Sequence, residues 1–320
     1  MITRTITRFV TTLCAAVVIA GTGAGARAQD KLKVAIPQRG AWDAGVAELG
    51  LRGGIFKKHG LDLEILYVQA GPESIQALIG GSIDIAAASG VSAAVGTFAK
   101  GAPIRIIGSE MIGSPDLYWY VPAASPIKKV SDFNGKTVAY SLTGSSSHAG
   151  LLALMAQDKL TAKPTSTGNI TSTITQTMTG QVDVGFGAAP FGLDLVEDGK
   201  IRIIATGNDV VSLRTRTVRV NLTSVNVLQT RHDAIVRFNR AYQETVAWMY
   251  SDPTALKVYG DYSGLPEKIV LRVRNLIPEQ SMATDRLEGI DQIMADAVAA
   301  KFIPAPLTAE QVKELVQIPK

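Results

Sequence analysis

Three short patterns occur twice in this chain, in the same order and at nearly the same distance. Val34-Ala35 ahead of Gly40 returns as Val138-Ala139 ahead of Gly144, 104 residues on. Gly81-x-Ile83-Asp84-Ile85 returns as Gly180-x-Val182-Asp183-Val184 at a shift of 99, and Ile104-Arg105-Ile106-Ile107 as Ile201-Arg202-Ile203-Ile204 at a shift of 97. An ordered repeat of this size predicts two units of one design, and 320 residues suffice for two cores. Within a unit, β-rich runs alternate with helical ones. Lys33 to Ile36 is a strand stopped by Pro37, Ala44 to Lys58 a helix ended at Gly60, and Leu61 to Val68 a strand. A helix starts at Pro72, and Ile83 to Ala86 and Ile104 to Ile107 are further strands. Such alternation predicts βαβ units and a mostly parallel sheet in each lobe. Beyond residue 225 the pattern is helical. Ile235, Phe238, Tyr242, Val246 and Met249 recur at spacings of three and four. A tail without a new strand set is expected to pack on the first lobe.

The start of the chain is written for export. Arg4 and Arg8 precede an apolar run from Phe9 to Ala20, and Ala26-Arg27-Ala28 is an A-x-A cleavage site, so residues 1–28 read as a signal peptide and Gln29 as the mature start. The run is too short for the roughly 20 residues of a membrane span. The only cysteine, Cys14, lies inside it, which leaves the mature chain without a thiol nucleophile, cysteine metal site or disulfide. Those 28 residues also carry three of the 32 basic residues and none of the 28 acidic ones, so the net charge of +4 falls to +1 in the remainder. No block of like charges is present, and no nucleic-acid partner is expected.

In a parallel sheet, ligands bind at the carboxyl ends of strands. In the first unit these ends carry Gln38, Arg39 and Trp42, then Ser89 and Gly90, then Glu110. In the second they carry Thr143, Gly144, Ser145, Ser146 and Ser147, then Ala188 and Pro190. The Thr143–Ser147 run precedes an apolar helix. Its free N–H groups and hydroxyls suit an anion, although serine is also a favoured helix cap. Arg39 can pair a carboxylate or sulfonate in two-pronged fashion, and Trp42 can supply an apolar wall; a surface arginine and a half-buried tryptophan fit the same residues. Catalytic patterns are poor. His59, His148 and His232 lack metal spacing, Ser147-His148 lacks the closing glycine of a nucleophile elbow, and no phosphate-binding glycine loop is present. No catalytic residue, metal or cofactor is expected.

With these features in place, the chain resembles periplasmic substrate-binding proteins of ABC importers, of the nitrate, sulfonate and taurine type that also includes thiamine-pyrimidine binders. The residues that carry the likeness are Gly54-Ile55-Phe56-Lys57-Lys58-His59-Gly60-Leu61-Asp62-Leu63-Glu64, Gln76-Ala77-Leu78 with Gly81 to Ala86, Val130 to Ala139, and Gly144 to His148. The resemblance implies an α/β two-lobe periplasmic-binding-protein fold. Lobe one would span 29–117 plus 226–320, lobe two 122–217, and crossing strands 118–121 and 218–225 would form a hinge. It further implies a periplasmic monomer that closes over a small organic anion, an alkanesulfonate such as taurine, and delivers it to an ABC permease in the inner membrane. A pyrimidine or aromatic carboxylate ligand, and a sensor without transport, are the alternatives. The family also resembles a pyrimidine-precursor synthase with a cysteine-rich iron motif, which a mature chain without cysteine does not match.

Overall fold

The computed structural model describes residues 29–319. The export signal and its cleavage site lie outside the described residues. The first repeat runs β1 (Asp30–Pro37), α1 (Val46–Arg52), α2 (Ile55–Lys58), β2 (Leu61–Val68), α3 (Gly71–Ile79), β3 (Ile85–Gly90), α4 (Val91–Ala99) and β4 (Ile104–Ile112). The helix expected over Ala44 to Lys58 is broken in two at Gly53-Gly54. Gly54 takes φ 74°, a left-handed turn open to glycine, and the Trp248 ring lies 3.1 Å from where a Cβ on Gly53 would stand. The second repeat follows: β5 (Leu117–Pro122), β6 (Thr137–Tyr140), α5 (Ser146–Gln157), β7 (Lys163–Ser166), α6 (Ile170–Met178), β8 (Gly185–Ala188), α7 (Leu193–Glu197) and β9 (Ile201–Thr206). Then come β10 (Thr217–Ser224) and a helical tail: α8 (Val225–Thr230), α9 (His232–Ser251), α10 (Pro253–Ser263), α11 (Glu267–Leu276), α12 (Ile290–Ala299) and α13 (Ala309–Leu315).

The sheets show why the sequence repeats. The first has the order β2-β1-β3-β10-β4, with β1 parallel to β2 and β3 and β10 antiparallel to both neighbours. In the second half, β8-β5-β9 and β6-β7 are joined by the Val138–Val184 bridge, giving β7-β6-β8-β5-β9 with β5 antiparallel to its neighbours. The two orders coincide when β5 stands for β10. Each lobe's antiparallel strand lies outside its own βαβ run: β5 directly follows the first run and β10 the second. The strands expected to cross between lobes therefore each sit within one sheet, and the chain passes between sheets at 113–116 and 207–216.

The repeated aspartates have a structural task. Asp84 accepts the Lys33 N–H at 2.8 Å through Oδ2, and Asp183 accepts the Thr137 N–H at 2.8 Å in the same way. Each ties the first strand of its βαβ run to the third, β1 to β3 and β6 to β8. The positive-φ glycines Gly81 (72°) and Gly180 (76°) lie three residues before these aspartates. The tail packs on the first lobe, as the pattern without strands predicts. α9 lies on α1 and α2, α12 on α4, and Val316 bridges to Ile106 of β4. The buried face of α9 is the periodic set Ile235, Phe238, Tyr242, Val246 and Met249.

Candidate ligand site between the lobes

The strand order brings the carboxyl ends of β1, β3, β6 and β8 to one place, and a cavity of about 50 Å³ opens there. Lobe one supplies Gln38, Ala41, Asp43, Gly71, Ala88 and Gly90, and lobe two supplies Ser141, Ser145, Ser146, Ser147, Phe186 and Ala188. Asp116, from the first passage between sheets, and Arg219, from β10, complete the wall. Gln38 (φ 56°) and Ala88 (φ 48°) are two of four non-glycine residues with positive φ among the described residues. Sparsely populated backbone of this kind gathers at ligand sites. The Ala88 N–H is held by Asn221 Oδ1 at 3.1 Å. The lobes meet around the cavity: a Cβ on Gly90 would come 3.0 Å from the Ser146 nitrogen. Further out, Glu197 of α7 pairs with Lys268 and Arg272 of α11 at 2.8 and 3.0 Å.

At the centre stands a buried charge cluster. Arg219 Nη1 meets Asp43 Oδ2 at 2.7 Å, Nη2 meets Asp116 Oδ2 at 2.7 Å, and Nε donates to Ser146 Oγ at 3.2 Å. The three charged residues are only 7%, 3% and 1% exposed respectively. Burial works against the Arg219 charge, but Asp116, Asp43 and Glu110 outweigh it and hold its pKa above the ordinary value. Burial likewise raises Asp43, against the pull of Arg219. Glu110 on β4 is fully buried, and neither of its oxygens has a hydrogen-bond partner. Burial first, then the Asp43 charge, push its pKa well above the ordinary 4.5.

The opposite wall is the start of α5. Ser145 caps it, its Oγ accepting the His148 N–H at 3.2 Å. Ser147 Oγ accepts the Ser141 N–H and contacts the Ser141 and Ser145 hydroxyls, each at 3.0 Å. The serine run is thus both a cap and a cavity wall. Its hydroxyls are largely committed to one another and to Arg219, and the N–H groups of Ser146 and Ser147 are the first-turn donors left for a ligand.

Of the residues expected from sequence, Gln38, Gly90, Ser145, Ser146, Ser147 and Ala188 come together on this cavity. Others do not. Arg39 is exposed, with its guanidinium 5.3 Å from the Tyr67 ring centre and 6.0 Å from that of Tyr262. It is the surface arginine of the two readings, and the cavity's guanidinium is Arg219. Trp42 is fully buried on the far side of its loop, its Nε1 donating to Tyr250 Oη at 3.0 Å and its ring edge-on to Tyr250 and Tyr259. Thr143 and Gly144 line a separate groove of about 290 Å³ with Ser92, Lys100 and Phe302. Ser89 and Pro190 are buried without lining the cavity, and Glu110 stands behind it. Asp43, Asp116 and Arg219 escaped the sequence reading. Arg219 had one visible mark, a charge inside the apolar strand Thr217-Val218-Arg219-Val220, where a charge needs a partner. Among the described residues, no group of three or more His, Cys, Asp or Glu is arranged to hold a metal ion.

Comparison with known proteins agrees with this architecture. The alkanesulfonate-binding protein SsuA from Xanthomonas axonopodis pv. citri, solved bound to MOPS, superposes with a TM-score of 0.74 at 21% identity, covering 91% of this chain and 98% of that one. The aliphatic sulphonate binding protein SsuA from Escherichia coli gives 0.72 at 19% identity, covering 91% and 93%. The nitrate-binding protein NrtA from Synechocystis PCC 6803 gives 0.71 at 13% identity, covering 90% and 86%. No curated protein sequence matches the chain. At such identities the likeness speaks for the fold, the two-lobe periplasmic-binding-protein fold. The NMT1/THI5-like family profile matches residues 49–256, most of both repeats, and the chain belongs to that family.

Proposed function

We propose that this protein is the solute-binding component of an ABC importer, exported to the periplasm, where it closes over a small solute and presents it to a membrane permease. The observation that carries the reading is the cavity itself. It is walled by the carboxyl ends of strands from both lobes, and buried charged residues from three distant segments converge on it. A binding protein needs this arrangement, because closure removes water and strengthens each polar contact with the ligand. In this reading lobe one comprises 29–112 and 217–319, lobe two comprises 117–206, and the hinge lies in the two passages between sheets. Ligand shifts the population toward the closed form that a permease reads. The cavity is small, about 50 Å³, which favours a compact aliphatic solute over a ring system. An acidic head such as a sulfonate fits the Ser146 and Ser147 N–H groups, where the helix dipole favours negative charge.

The test is a thermal-shift screen of the mature chain from Gln29 against sulfonates, carboxylates, nitrate, amines, amino acids and pyrimidines, with X-ray scattering on the best hit. Binding accompanied by a smaller radius of gyration is expected. No hit in any class would sink the reading.

A further inference from the structure

We infer that the cleft is built for a ligand bearing a positively charged nitrogen, an ammonium or amidinium group seated against Asp116 and Asp43. The inference rests on the solute-binding reading and names the chemistry of its ligand.

The cavity wall carries two carboxylates and one guanidinium. Arg219 meets both aspartates at 2.7 Å and Ser146 at 3.2 Å, so its charge is already matched inside the protein. A simple anion entering here finds no uncommitted cation and an excess of negative charge. Asp116 supplies the second, independent observation. It is 1% exposed, it lines the cavity, and its Oδ1 has no hydrogen-bond partner. A buried carboxylate oxygen without a donor is unfavourable, and a ligand N–H from the cavity satisfies it. A bare metal ion suits the site less well, since two carboxylates fall short of the six to eight oxygens calcium gathers and no three-residue ligand group is present among the described residues. The walls are thus of opposite character: carboxylates on the side of β1 and the 113–116 passage, helix N–H donors on the side of α5. A small zwitterion meets both.

Three matched two-carbon probes test this on the mature protein: 2-aminoethanesulfonate, ethylammonium and ethanesulfonate. Calorimetry should show the amine-bearing probes binding more tightly than ethanesulfonate. Asp116→Asn should weaken the best amine probe by about 30-fold or more, the loss expected on removing one partner of a buried charge pair. Because Asp116 also holds Arg219, the readout is the ratio of amine to sulfonate affinity within each variant, which a general loss of stability does not move. Asp43→Asn should shift that ratio the same way, and Arg39→Ala, outside the cavity, should not. Ethanesulfonate binding more tightly than the amine probes, or an unchanged ratio in Asp116→Asn, overturns the inference while solute binding stands. If none of the three binds, the wider screen decides. Hits that all lack a positive nitrogen overturn this inference alone, a hit that carries one supports it, and no hit removes the solute-binding reading and this inference together.

Discussion

The two lobes share a scaffold and differ in what their loops present. Both have the same strand order, a positive-φ glycine in the loop after the first strand of the βαβ run (Gly40, φ 97°, and Gly144, φ 88°), and an aspartate that ties that strand to the third. Arg105 and Arg202 sit at matching places on β4 and β9, and both reach out to fasten a neighbouring segment. Arg105 bonds Glu314 of α13, and Arg202 bonds the carbonyls of Ser125 and Ile127. The loop tips diverge. Lobe one brings Asp43 to the cleft, and lobe two brings a serine-capped helix start. The repeat therefore preserves what builds a sheet, while the chemistry lies in the few residues between strand and helix, where backbone geometry tolerates change.

The comparison breaks most severely at Arg219, which sits on the strand lobe one receives from beyond the second repeat and contacts residues of both halves. Arg219→Met leaves Asp43 and Asp116 buried without their cation, and urea denaturation at pH 7 should show a loss of about 3–5 kcal/mol. A loss within that of an ordinary surface change would mean the cluster is hydrated and the lobes are not coupled through it. Next in size is Glu110→Gln. The folded-state pKa of Glu110 is raised above 4.5, so its contribution to stability is fully present below that pH and is lost as pH rises toward the folded pKa. Between pH 5 and pH 8 the native protein should therefore lose stability relative to Glu110→Gln, by at most about 1.4 kcal/mol per pH unit. Denaturation of both proteins across that range gives the difference; parallel curves would show that Glu110 is ionised throughout. The smallest effects sharpen the likeness of the lobes. Asp84→Ala should cost about 1–2 kcal/mol and Asp183→Ala about 0.5–1 kcal/mol. The first is larger because Asp84 is partly buried and also pairs with Arg231 at 3.1 Å, whereas Asp183 is exposed. The reverse order would show that burial and the Arg231 pair do not set the difference.

Much of the scaffold was legible because it rests on local patterns. Leu61–Val68 is a strand with the expected bounds, and the helix expected to start at Pro72 opens one residue earlier, at Gly71. The error over Ala44–Lys58 came from reading periodicity across two glycines that end one helix and begin another. In the site, the serine run was legible because a polar stretch between a strand and a helix has few places to go. The Arg39 and Trp42 assignments failed for another reason. Sequence places a residue on a loop but does not set which way its side chain points, and packing sent Trp42 to Tyr250 and Tyr259 and left Arg39 over two tyrosines.

By itself, then, the sequence determined the doubled α/β design, the helical tail and the neighbourhood of the cleft, since strand alternation, helix spacing and glycine turns are written within a few residues of one another. Only the tertiary structure decided the charge of the cleft. Arg219 finds Asp43 from 176 residues away and Asp116 from 103, and the pKa of Glu110 is raised because of what buries it. Pairing and desolvation depend on which distant groups the fold brings together, and no local pattern carries that information.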